Sequence, residues 1–159
     1  MKEAVRVSIL RCNSSQGDPP ATDLEYEVRN EAQTPVWLVD DGWLIWRQKE
    51  QEIELSYARG KMSPGSQVFG YFPPSMAKLD TGAHVTRSIH LTWPQSLDRL
   101  WNAKSEAAPP PGDYQVSVRI GYGVTPAAEA PDLRDGVEDP VLRWQREAVS
   151  DAVPMDIPR

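Results

Sequence analysis

The chain has 159 residues, with 17 basic and 23 acidic side chains, a formal net charge of −6, 40% hydrophobic and 25% charged residues. That length suits one domain with a sizeable core, and an acidic balance with no Lys/Arg-rich run excludes the clustered cations that nucleic acid and anionic membrane surfaces require. The 15 prolines argue against long helices, and a single cysteine, Cys12, leaves no intrachain disulfide.

The first segment, MKEAVRVSIL, alternates Val5, Val7 and Ile9 with polar residues. It reads as a half-buried strand and not as the continuous apolar block of a signal peptide, so a cytoplasmic location is expected. No apolar run approaches the roughly 18 residues of a membrane span. After a loop over residues 14–23, Leu24, Tyr26 and Val28 alternate with Glu25, Glu27 and Arg29 as a second strand. A turn over 30–35 leads to WLVDDGWLIW (37–46), in which Asp41-Gly42 between two apolar runs predicts a tight hairpin. A two-residue loop there places Trp37 opposite Trp46 and Leu38 opposite Ile45, leaving both faces of the ribbon apolar. A three-residue loop with Gly42 in a bulge shifts that register by one.

Ile53 and Leu55 among Glu52, Glu54 and Ser56 make another strand, residues 57–67 a loop, and Val68 to Phe72 a short strand ended by Pro73-Pro74. MAKLDTGAH reads as a turn region punctuated by Asp80 and Gly82. Val85, Ile89 and Leu91 mark a further strand, and Leu97, Leu100 and Trp101 give residues 96–107 the spacing of one short helix. PPPGDYQVSVRIGYG (109–123) then turns Tyr114, Val116, Val118 and Ile120 to one side and Asp113, Gln115, Ser117 and Arg119 to the other. Residues 123–140 are a long polar, proline-rich loop, and a last strand is expected around Val149 to Ile157, with Pro154 marking an edge or a bulge. The expectation is one all-β domain over 1–159: an antiparallel β-sandwich of about seven to nine strands with at most one short helix.

Gly112-Asp113-Tyr114-Gln115-Val116 resembles the tyrosine corner of immunoglobulin-like sandwiches, with Val116 where antibody domains carry cysteine. Val28-Arg29-Asn30 followed by Pro35-Val36-Trp37-Leu38 resembles the turn between the second and third strands of bacterial immunoglobulin-like or fibronectin-type domains. The resemblance covers roughly residues 24–39 and 109–121. It implies a hydrogen bond from the Tyr114 hydroxyl to the backbone of the Pro109–Pro111 turn. Among intracellular members of this class, the BsuPI-type proteinase inhibitors are similar in being small and disulfide-free. A shared fold transfers no activity.

The candidate binding residues are aromatic: Trp37, Trp43 and Trp46 on the hairpin, with Tyr57 and Tyr71 as neighbours, a composition typical of interface hot spots. Burial of one tryptophan in the core is the competing reading. No cofactor, metal or catalytic residue is expected. His84 and His90 lie on one side of a strand, roughly 20 Å apart, too far to share a metal. Cys12 has no basic neighbour to activate it. Asp132, Asp135, Glu138 and Asp139 lack the spacing of a calcium loop. Glu50, Glu52 and Glu54 read as a solvated face, and Asp40 and Asp41 as turn residues. Gly121-Tyr122-Gly123 is not a dinucleotide loop, and Ser75-Met76-Ala77-Lys78 fits Ser-x-x-Lys without its companion motifs. These features favour a non-enzymatic module that binds another protein as inhibitor, immunity factor or adaptor. The alternatives are a self-assembling subunit, with a homodimer as its simplest form, and a small-ligand or carbohydrate binder using loop carboxylates.

Overall fold

A computed structural model describes residues 4–40, 44–59, 75–94, 109–126 and 140–159. Within them the chain is predominantly β, with two sheets packed as a sandwich. The strands are β1 (Val5–Ser15), β2 (Ala21–Asn30), β3 (Val36–Val39), β4 (Ile45–Lys49), β5 (Glu52–Ser56), β6 (Met76–Leu79), β7 (His84–Thr92), β8 (Gly112–Gly123), β9 (Arg146–Val149) and β10 (Val153–Ile157), joined by one short helix, α1 (Pro140–Trp144). Ten strands exceed the number expected, because β6 forms within a stretch read as a turn and the last predicted strand divides into β9 and β10 at Ser150–Ala152. The predicted strand at 68–72 and helix at 96–107, and residues 127–139 of the predicted long loop, lie outside the described residues.

One sheet has the order β1-β2-β7 and is antiparallel. The other is organised around β8. Ser56 of β5 and Val149 of β9 both pair with Arg119, so β5 and β9 occupy opposite edges of β8. Tyr122 pairs with both Arg146 of β9 and Leu38 of β3. Thus β3 and β5 share one edge end to end, while β9 and β10 share the other. The β5–β8 pairing is parallel, which makes this sheet mixed.

Alternation places the core where the spacing predicted it. Tyr114, Val116, Val118 and Ile120 of β8 are buried and face Leu24, Tyr26 and Val28 of β2 and Val5 and Val7 of β1 across the sandwich. The Tyr114 hydroxyl donates to the Pro110 carbonyl at 2.7 Å, tying β8 to the turn before it. Tyr114→Phe is expected to cost about 1 kcal/mol and to lower the melting temperature by roughly 2–4 °C, read by thermal unfolding. An unchanged midpoint would show that this bond contributes nothing net. Pro154 lies on β10, whose only partner among the described strands is β8. This is the edge placement its missing N–H requires.

The hairpin expected at Asp41-Gly42 is not formed in the predicted register. Both edges of β3 are occupied, one by β6 and the other by β8, which leaves no edge for β4. The tight turn of this region is at Glu50-Gln51, where β4 returns into β5 with Lys49 opposite Glu52 and Arg47 opposite Glu54. These opposite-charge cross-strand pairs specify that register. Glu50 takes a φ of 54° there, the left-handed region that the turn demands.

Val39, Ile45, Ala58 and Val141 are buried outside the central cluster. Val39 and Ile45 lie on the outer face of the β8 sheet, where α1 also packs. Gly121 and Gly123 let α1 approach: a Cβ on Gly123 would meet the Trp144 ring, and one on Gly121 would meet the Gln145 amide. The Gln145 amide also accepts from the Arg59 N–H at 2.8 Å and donates to the Arg59 carbonyl at 3.0 Å. Trp144 Nε1 donates to Thr125 Oγ1 at 2.9 Å.

Candidate functional site

The β1 margin of the sandwich is closed, because β1 packs against β9 and β10. At the opposite margin β7 forms the end of its sheet among the described strands, and one of its inward positions carries a charge. Val85, Arg87, Ile89 and Leu91 alternate toward the interior, and Arg87 stands opposite Tyr26 of β2. Its guanidinium Nη1 lies 2.7 Å from Oδ1 of Asp40, the residue that follows β3, so an ion pair spans the two sheets. The Arg87 side chain is 27% exposed and that of Asp40 46%, placing the pair at the rim and not in the core.

Two tyrosines complete the cluster. The Tyr57 ring stacks on that of Tyr26, with centroids 6.3 Å apart and planes 20° from parallel. Burial pushes the Tyr26 hydroxyl up to about 12; Tyr57 and Asp40 add to the rise, and a hydrogen bond and charge from Arg87 oppose it. Burial also raises Tyr57, against the pull of Arg87. Both phenols are therefore neutral O–H groups at physiological pH, set beside a permanent cation. At this margin the half-buried Tyr57 stands beside a permanent cation, while Tyr26 is 2% exposed and supports the Tyr57 ring from the interior.

The five aromatic residues singled out in the sequence are not gathered into one patch by the described residues. Trp46 is buried, edge-on to Trp93 with centroids 6.1 Å apart, and Nε1 donates to Gln48 Oε1 at 3.3 Å. Trp37 is half-buried and pairs with Gly123, on the outer face of the sheet, whereas Trp46 pairs with Leu55 on the inner face. Leu55 in turn aligns with Val118, five residues along β8 from Gly123, or about 17 Å. Tyr57 belongs to the Arg87 cluster. Trp43 and Tyr71 lie outside the described residues, as does the acidic group Asp132, Asp135, Glu138 and Asp139. Arg87 and Tyr26 were not candidates in the sequence, yet a signal existed: an arginine interrupts the apolar series Val85, Ile89, Leu91 at an inward position.

The other polar groups have structural explanations. Arg119 grips Glu54 through Nε at 2.7 Å and Nη2 at 3.1 Å, and holds Glu147 through Nη1 at 2.9 Å. Glu54 is thus part of a network, while Glu50 and Glu52 are exposed as expected. His90 and Asp23 meet at 2.6 Å on the exposed face of the other sheet, and His84 is exposed on the same face. Burial raises the Cys12 thiol and keeps it protonated. Ser75 and Lys78 sit at and within strand β6, where a separation of three residues turns their side chains to opposite faces. Among the described residues no three His, Cys, Asp or Glu side chains are grouped to hold a metal, and no helix is long and apolar enough to cross a membrane. A shallow depression of about 390 Å³ beside the β4–β5 turn is lined by Arg47, Glu52, Glu54, Gln115 and Ser117, among others.

The chain matches no protein-family model, no curated protein and no solved structure.

Proposed function

We propose that this chain is a non-enzymatic recognition domain that docks another protein on the margin of the sandwich where Arg87, Asp40 and Tyr57 meet. The observation that carries the reading is Arg87 itself. An inward strand position costs stability when it holds a charge, and that cost is offset only in part by a partner as exposed as Asp40. Arginine and tyrosine are the residue types whose burial against a partner yields the largest binding energies. Stacking on the buried Tyr26 ring orients Tyr57 beforehand, so less entropy is lost on docking.

The test is quantitative capture from an extract of the source cell on immobilised wild type, Arg87→Met and a distal control, Arg11→Ala, each first shown by circular dichroism to be folded. Arg87→Met keeps an unbranched apolar stem and removes the guanidinium charge. A protein held by wild type and by the control, and retained at least tenfold less by Arg87→Met, is the expected result. Equal retention on all three supports, or none on wild type, overturns the assignment.

A further inference from the structure

We infer that Arg87 is a receptor for a carboxylate, that Asp40 is its resident occupant in the free chain, and that a carboxylate of the bound partner replaces Asp40 on docking. This inference rests on the recognition reading above and names the chemistry the partner must present.

Two arginines of the same chain, almost equally exposed, carry the argument. Arg119, at 24% side-chain exposure, is gripped by two carboxylates: Glu54 takes two of its donors through both carboxylate oxygens, and Glu147 takes a third. It is the form an arginine takes here when its task is to tie strands together. Arg87, at 27%, brings Nη1 to 2.7 Å from one oxygen of Asp40, and among the described residues it shows no second hydrogen bond to that carboxylate, unlike the paired bonds of Arg119 to Glu54. A guanidinium carries five N–H donors in a planar fork that matches both oxygens of a carboxylate. One-pronged pairing with Asp40 leaves that match incomplete.

The geometry of the surroundings favours exchange. Asp40 is the more exposed of the pair, follows the last residue of β3, and has its backbone N–H fixed to the Ser75 carbonyl at 2.7 Å. Its side chain can swing into water without disturbing the ladder. Tyr57, half-buried and uncharged, lines the approach, with the buried Tyr26 ring stacked behind it. A planar carboxylate that took both oxygens to Arg87 would exchange one exposed, single-pronged bond for two parallel ones. Such a ligand is an acidic side chain or a chain terminus of the partner.

The test follows the Arg87 Nε–H resonance by NMR, assigned by its loss in Arg87→Lys. Wild type and Asp40→Asn are titrated with sodium acetate and, at matched ionic strength, with sodium phosphate and sodium chloride. Acetate is expected to shift the resonance saturably, with a dissociation constant at least tenfold lower in Asp40→Asn than in wild type, and chloride to produce no saturable shift. Acetate behaving like chloride, or binding wild type and Asp40→Asn equally, overturns the proposal and leaves Arg87 as a structural bridge. Saturation by phosphate more tightly than by acetate also overturns it, because the class of ligand is then wrong. Should Asp40→Asn not fold, a saturable acetate shift in wild type that chloride lacks supports the proposal, and its absence overturns it. The measurement uses no partner protein, so its failure is distinguishable from failure of the capture experiment.

Discussion

Trp93→Ala is expected to cost about 3–5 kcal/mol, the range for truncating a large aromatic in a packed core. A domain has only some 5–15 kcal/mol to lose. Trp93 is 3% exposed and lies edge-on to Trp46, so its removal opens a void between the sheets. It also breaks a chain of donation. Trp93 Nε1 donates to Thr22 Oγ1 at 2.8 Å, the fully buried Thr22 hydroxyl lies 2.6 Å from Ser14 Oγ, and Ser14 donates to the Asp156 carbonyl. Since Ser14 uses its proton on Asp156, the Thr22 proton points to Ser14 and the Thr22 lone pairs receive Trp93. The chain links the residue that follows β7 to β2, β1 and β10. Trp93→Phe keeps most of the volume and removes only the donor, so about 1–2 kcal/mol is expected for it, the penalty of a buried hydroxyl left short of a partner. Denaturant unfolding of both variants separates the contributions. An alanine variant within 1 kcal/mol of wild type would refute the packing assigned to this residue.

The second large effect is expected at Gly123. A Cβ there would collide with the Trp144 ring, and this ring cannot simply turn aside, since Nε1 is bonded to Thr125. Gly123→Ala must lift α1 off β8, at a cost of about 2–3 kcal/mol, within the range for overpacking. At Gly121 the obstructing atom is the far end of Gln145, which can rotate away and lose its two bonds to Arg59. Gly121→Ala is therefore expected to be milder. The double variant Gly123→Ala/Trp144→Ala distinguishes a steric origin from a conformational one. If the clash is the cause, the two substitutions are markedly non-additive, because the second removes what the first collides with. Additive losses in thermal or denaturant unfolding would point to the backbone preference of glycine instead.

How much of this could be seen in the sequence depends on the range of the interaction. Tyr114, Val116, Val118 and Ile120 share a face because a strand has a period of two, and this property is local to the segment. The Tyr114 bond spans four residues and was equally legible. The pairing of β3 was not. Asp41-Gly42 is a strong local turn signal, but the edges of β3 are taken by Tyr122 and Gly123, which are more than eighty positions away, and by Met76 to Leu79. Long-range partners overrode the local one. The aromatic patch inferred from that hairpin had no independent support, and Trp37 and Trp46 fall on opposite faces of the sheet. The paired glycines of β8 were read only for what they are not. Their role depends on Trp144 and Gln145, which follow more than twenty residues later. Arg87 was legible in principle, as a charge interrupting an apolar alternation, but its neighbours Asp40 and Tyr57 follow β3 and β5, far away in the chain.

The position of β8 in the chain bears on how the molecule is made. The three strands of the β1-β2-β7 sheet have all been synthesised once the ribosome passes Thr92. β3 and β5, already translated, have no central strand to join until Gly123 has left the exit tunnel, and β9 and β10 add to it only at the end. Non-local pairing of this kind is slow to form. A nascent chain stalled before residue 112 therefore displays Ile53 and Leu55 without their cover, which makes that interval of translation the one in which a chaperone has most to bind.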